Sequence, residues 1–443
     1  MNWRTVAAIL CTYGALKEFR PTEPYLYQWQ HDGLNLTARE LSIDVYPIST
    51  YANLIFLIPT LLLTDILLYK SVLLLESLSY IGVWLTLIFG RSVLSQQVGQ
   101  ALYGLAMSME VAYFAYSYVK VKPEQYTKVT VWTRSALEFG RCVSYVLSEP
   151  IVLLYPGKYQ ILNYISVISL TLTLIFALLL PNVTWREIAH RHFEDSNLLQ
   201  NTNELPDSYL QFVVCRVRRL YADVRRLTAD AYIVKWSASW ALVSCGYLQA
   251  SNYIQTLWGT AEEASKTYNG FVQGLIPVVC IVAVLPLQNS QFNWLFHDLV
   301  VAIVQILCAG ALFLICHINN IWIMYAGYSA FRVLYQLAIT ITQCMIIKGI
   351  DVDASGFVFG LNTFLALVLQ TGLSIFVTKV SYFNEIHRQF VVYSVYHLLI
   401  AIVFFVFGLW RGPWSDKKAL EITPDHSTSK LEEHSSFNSV EKL

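Results

Sequence analysis

A single carboxylate, Glu110, lies near the middle of an otherwise uncharged run from Val98 to Tyr118. That run is about twenty-one residues, enough to cross the ~30 Å hydrocarbon core of a bilayer. Tyr103, Glu110 and Tyr113 follow at helical spacing, and Gln100 extends the same stripe toward the start of the helix. An acid at membrane depth is expensive unless it faces protein or water, and such residues mark substrate or proton paths. Glu110 is therefore expected to line a central cavity, with Tyr103 and Tyr113 suited either to stacking on a flat ring or to packing. The other reading is a buried structural acid paired with an Arg on a neighbouring helix.

Further polar groups recur at matching depth later in the chain. Gln249, Asn252, Tyr253 and Gln255 share one run that ends at Trp258. Arg332 sits in Tyr328-Ser329-Ala330-Phe331-Arg332, with Tyr335 and Gln336 a turn on, and Asn362 and Gln370 mark the next run. An Arg in lipid faces the bundle interior. There it can hold an anionic substrate group, hold a counter-anion, or pair with Glu110 or Glu138. Arg134, Glu138 and Arg141 also share a helical face, an arrangement open to a purely structural ion-pair reading. Trp84 and Tyr253 are mid-span aromatics suited either to stacking on a ring or to packing.

Enzyme chemistry finds no support in these residues. There is no Ser/His pairing, no HExxH and no CxxC, and the eight Cys are scattered, mostly inside apolar runs. No metal or cofactor is expected. A formal net charge of zero argues against nucleic acid as a partner.

The elements that position these groups follow from composition. The chain of 443 residues is 56% hydrophobic and only 14% charged, where soluble domains carry about 25% charged residues. It reads as an all-α protein spanning the membrane many times. After a first helix broken by Pro21 and Pro24 and carrying Arg20 and Glu23, spans are expected at about 47–68, 71–90, 94–118, 128–153 and 160–180. A second set is expected at about 231–258, 269–287, 293–316, 320–347, 355–378 and 389–410. That makes twelve transmembrane helices in two six-helix halves. The halves divide at about 1–183 and 231–411, joined by a basic linker, 184–230, with a disordered tail from 412 to 443. Arg216 to Arg226, with apolar positions at helical spacing, suits an amphipathic helix on the inner leaflet. Basic loops stay cytoplasmic, which puts both termini inside and the sequon Asn35-Leu36-Thr37 outside, as a glycosylation site. Six plus six spans around such a linker is the plan of the major facilitator architecture, with its site at the midplane. A monomer in the lipid bilayer is expected.

Several runs carry a more specific likeness. Leu10-Cys11-Thr12-Tyr13-Gly14, Arg20-Pro21-Thr22-Glu23-Pro24-Tyr25-Leu26, Leu61-Leu62-Leu63-Thr64-Asp65, Glu110-Val111-Ala112-Tyr113, Leu162-Asn163-Tyr164-Ile165-Ser166, Asn252-Tyr253-Ile254-Gln255 and Val358-Phe359-Gly360-Leu361-Asn362-Thr363-Phe364 occur in order over nearly all the spans. Together they resemble the reduced folate carrier family, the folate and thiamine carriers within the major facilitator superfamily. The resemblance implies uptake of a water-soluble vitamin at the plasma membrane by alternating access. It also implies that Glu23 is the acid the family keeps in the broken first helix. Trp84, Tyr103 and Asn252 match substrate-pocket positions, and Gln100 stands where both branches usually have Glu. Tyr46 and Ser49 match positions that are both aromatic in thiamine carriers. Glu110 and Gln370 follow the thiamine pattern, where folate carriers have Arg and Lys. Arg332 follows the folate pattern, and Arg141 replaces an aromatic of thiamine carriers. Thiamine is the favoured substrate on this resemblance; a folate carried by anion exchange is the alternative, and a non-transporting receptor a distant third.

Overall fold

The computed structural model describes residues 2–120, 125–185, 230–261, 268–284, 297–349, 355–380 and 385–409, together with 209, 211 and 214. Among these, twelve long helices form two sets of six. The first is α1 (Trp3–Glu18), α2 (Tyr46–Ile66), α3 (Lys70–Phe89), α4 (Val93–Lys120), α5 (Tyr126–Leu154) and α6 (Gln160–Leu179). The second is α7 (Ala231–Trp258), α8 (Asn269–Val284), α9 (His297–His317), α10 (Ile321–Gly349), α11 (Ser355–Lys379) and α12 (Ile386–Leu409). The expected spans coincide with these helices to within a few residues. The amphipathic helix expected at Arg216 to Arg226 and the tail from 412 lie outside the described residues.

Local chemistry explains the helix ends. Asn2 caps α1 through its side chain, which accepts from the Arg4 amide, and Asp230 caps α7 by accepting from the Tyr232 amide at 2.9 Å. Past α1, Pro21 and Pro24 prevent a regular helix. The chain turns through a 3-10 turn at Glu23–Tyr25 and wide π turns at Trp29–Gly33 and Glu40–Val45. Between the π turns, Thr37 and Glu40 form a reciprocal cap. The Thr37 hydroxyl donates to Glu40 at 2.7 Å, and the Glu40 amide returns to the Thr37 hydroxyl at 3.2 Å. Asn35, just before it, is exposed and takes a positive φ, which Asn tolerates.

Small residues let the helices approach closely, the packing rule of membrane bundles. A Cβ on Gly104 of α4 would run into the Ser49 carbonyl of α2, and one on Gly140 of α5 into the Ala15 carbonyl of α1. The outward faces are coated with exposed Ile, Leu, Val and Phe such as Ile55, Phe89, Phe139 and Val282. A coat of that extent suits lipid rather than water. Six described helices are each long and apolar enough to cross a membrane; α1, α4, α5, α7 and α10 carry the polar groups that face inward. His397 lies in the middle of α12, fully buried with Nδ1 2.6 Å from Gln305.

The halves meet along α2 with α11 and α5 with α8. Their mutual hydrogen bonds gather at the end where the first helix is broken. The Gln255 amide donates to the Glu23 carbonyl at 2.7 Å, and the Asn269 amide to the Pro24 carbonyl at 3.1 Å. Tyr25 donates to Glu149 at 2.5 Å, and Glu149 also accepts from the Phe271 amide in the first turn of α8. A buried acid of one half thus sits at the positive end of a helix of the other half.

A polar cavity between the two halves

The described residues enclose a cavity of about 330 Å³ between the halves, within the range of small-molecule sites. The broken first helix supplies its charged floor. Arg20 is only 4% exposed and donates to Glu18 at 2.9 Å, and its Nη2 lies 3.2 Å from Glu23. Its guanidinium lies over the rings of Tyr80, Trp84 and Tyr103 at 4.8 to 5.9 Å, a favourable cation–π arrangement when desolvated. Arg20 Nε and Nη1 have no hydrogen-bond partner. Glu18 also accepts from Arg141 of α5 at 2.8 Å, and Arg141 reaches Glu138 at 3.2 Å. Glu23 accepts from the hydroxyls of Tyr103, at 3.3 Å, and Tyr145.

The opposite wall belongs to α7 and α10. Arg332 donates to the Tyr247 hydroxyl at 2.5 Å and lies over that ring. Tyr247 in turn stacks flat on Tyr335 at 3.8 Å. No carboxylate pairs with Arg332 among the described residues. Asn252 and Gln255 complete this wall, Asn252 donating to Thr50 across the interface at 3.3 Å.

Glu23, Tyr46, Trp84, Gln100, Tyr103, Asn252 and Arg332 are therefore brought to one cavity, with Ser49 and Arg141. Tyr46 donates to Gln30 at 2.9 Å, and Trp84 to the Thr22 hydroxyl at 3.3 Å. Residues 1–392 match the sequence profile of the family described as Reduced folate carrier. The chain belongs to that family.

Folate-like transporter 2 of Caenorhabditis elegans is 42% identical over 415 residues, covering 93% of this carrier and 97% of that protein. Thiamine transporter 1 of Homo sapiens is 32% identical over 448 residues, covering 92% and 90%. An auto-inhibited POT family peptide transporter shares the fold with a TM-score of 0.64 at 12% identity, over 92% of this carrier and 97% of that chain. The carrier is a membrane transporter of major facilitator type, not an enzyme.

Three expected members lie elsewhere. Glu110 does not line this cavity: it faces Lys17 of α1 at 3.7 Å, two turns along α4 from Tyr103. Its partner is thus a Lys of the first helix rather than an Arg, and Arg332 pairs with neither Glu110 nor Glu138. Tyr113 is buried against Tyr13 and donates to the Leu10 carbonyl at 3.0 Å, so its ring is packing. Gln370 is buried within α11, away from the cavity wall. Conversely, Tyr145 and Tyr247 line the cavity without having been singled out. Tyr145 follows Arg141 by four residues, a spacing that places it on the same face of α5.

Proposed function

We propose that the carrier takes up a water-soluble vitamin by alternating access, the two halves rocking about this cavity, and that the vitamin is an anion of folate type. The observation that carries the choice is Arg332. It faces the cavity, fixed by Tyr247, with no acid beside it among the described residues. Arg20 and Arg141 are already tied to Glu18, so Arg332 is the uncompensated charge of the wall. A carboxylate entering the cavity would recover the cost of that buried cation, and charge-assisted hydrogen bonds of this kind are the strong ones. Glu23, at the other end, offers an acceptor for the ring N–H groups of a pterin, and Trp84 and Tyr103 offer apolar faces.

A second reading has its own support. Glu23 beside the Trp84 and Tyr103 rings suits a cationic ring such as that of thiamine, and thiamine transporters are among the relatives. The sequence-based preference for thiamine rested on Glu110 and Gln370, which are not among the residues lining this cavity.

In this proposal the carrier works as a monomer in the plasma membrane with both termini cytoplasmic. The end bearing Asn35 is outside and closed, and Asn35 carries glycan. Uptake of labelled folate and labelled thiamine into proteoliposomes tests the reading. Arg332→Gln is expected to cut folate uptake about tenfold or more, the worth of one charge-assisted bond, and to leave any thiamine uptake little affected. Thiamine uptake alone, abolished by Glu23→Gln and indifferent to Arg332→Gln, would favour the second reading.

A further inference from the structure

Below the cavity, on its own helices, lies a second buried charge cluster. Lys17 of α1 is 1% exposed, and its Nζ lies 3.1 Å from Glu76 of α3 and 3.7 Å from Glu110 of α4. Glu76 is fully buried and well satisfied: Lys17 donates to one oxygen, and the Tyr13 hydroxyl donates to the other at 2.6 Å. Glu110 is the second acid of the same Lys, farther away, and its side chain is 36% exposed. It continues the α4 stripe of Tyr103 and Met107 toward the end away from the broken helix, on a face far round from the outward-facing Leu94 and Val98.

The cluster holds two acids and one base. Among the described residues, its neighbours do not supply a second cation. From α1 come Tyr13 and, one residue from Lys17, Glu18, which is occupied by Arg20 and Arg141. From α3 come Ser77 and Tyr80, and from α4 Tyr113, whose ring lies 5.1 Å from the Lys17 ammonium. On α5, Arg141 is held by Glu18 and Glu138, and Arg134 lies over Phe114. α6 presents Ser169 and Thr173, and the described side chains of α2 present Thr60 and Thr64. With both acids ionised the described cluster carries one net negative charge, which falls on Glu110, the acid whose side chain is partly open. Acids at membrane depth that face the protein interior or a water-filled cavity mark proton relays.

We propose that Glu110 is the proton-binding site that couples transport. One proton from water attaches to its carboxylate as a vitamin anion enters the cavity, and it is given back to water on the other side as the anion leaves. Glu76 keeps Lys17 in place throughout. The link to the cavity is covalent and short: Lys17, Glu18, Arg20 and Glu23 occupy seven consecutive residues at the break of the first helix. They carry the proton cluster on one side and the cavity floor on the other. The proton offsets one unit of the substrate's negative charge and crosses with it, so an inward acid gradient drives accumulation. This inference rests on the transport reading above.

The test uses the purified full chain in proteoliposomes, comparing exchange of labelled folate and of labelled thiamine at equal pH with accumulation under an imposed gradient. Wild type is expected to accumulate the vitamin that it exchanges, about tenfold per pH unit for one coupled proton. Glu110→Gln should lower gradient-driven accumulation at least about tenfold more than it lowers exchange, and Glu110→Asp should retain part of the coupling. Exchange without any response to the gradient, or accumulation by Glu110→Gln equal to wild type, would overturn the proton site and leave the vitamin reading standing. Exchange of neither vitamin would sink the vitamin reading instead. The site is then judged on infrared titration of the purified protein, where a protonated-carboxyl band lost in Glu110→Gln supports it and the lack of such a band refutes it.

Discussion

Arg20 is held by two acids and three aromatic rings, yet two of its nitrogens have no hydrogen-bond partner. Its planar guanidinium fills a slot between Tyr80, Trp84 and Tyr103 that an ammonium cannot fill. Arg20→Lys, which keeps the charge, is therefore expected to cost about tenfold in uptake, with the protein still folded by thermal unfolding in detergent. The residues of the cavity were partly legible in the sequence. Glu23, Trp84, Tyr103 and Arg332 stand out because polar and aromatic groups at membrane depth are rare without a purpose. Lys17 and Glu18 follow the apolar run of the first helix in sequence, yet α1 extends through Glu18 and buries both. Glu76 escaped notice although the rule that singled out Glu110 applies equally to it. The pairing of Lys17 with Glu76 and Glu110 links residues far apart in the chain, and helical spacing carries no such information.

At the scale of elements, the fold depends on close helix contacts through glycine. Gly140 rests on the Ala15 carbonyl, where α5 crosses α1 just before the break that carries Arg20 and Glu23. Gly140→Val would force the two helices apart, and overpacking of that kind costs roughly 1–3 kcal/mol. A lower unfolding temperature of the detergent-solubilised protein, with weakened vitamin uptake because Arg141 shares α5, is the expected outcome; an unchanged unfolding temperature would show that the crossing is loosely packed. Span positions were readable from hydrophobicity, since length and apolar content set them directly. The π turns of the 29–45 segment were not, because they arise from how the chain must fold back between α1 and α2 after two prolines.

For the whole molecule, the question is which end opens. The halves are latched at the end of the broken helix, with Glu149 accepting from Tyr25 and from the first turn of α8. Glu149→Ala removes the charge that holds this helix end, an interaction worth about 1 kcal/mol or more when buried. A cysteine placed at Asn252, on the cavity wall, should then react faster with a bulky thiol reagent than it does without that change; equal rates would mean the latch contributes nothing to closure. In the folate reading, Arg332 decides what the cavity holds. Equilibrium binding of labelled folate and labelled thiamine to the purified carrier, wild type and Arg332→Gln, checks this. Folate is expected to bind the wild type and to bind about tenfold or more weakly to Arg332→Gln. Folate binding of equal strength in both proteins, or saturable binding of thiamine alone, would overturn that reading.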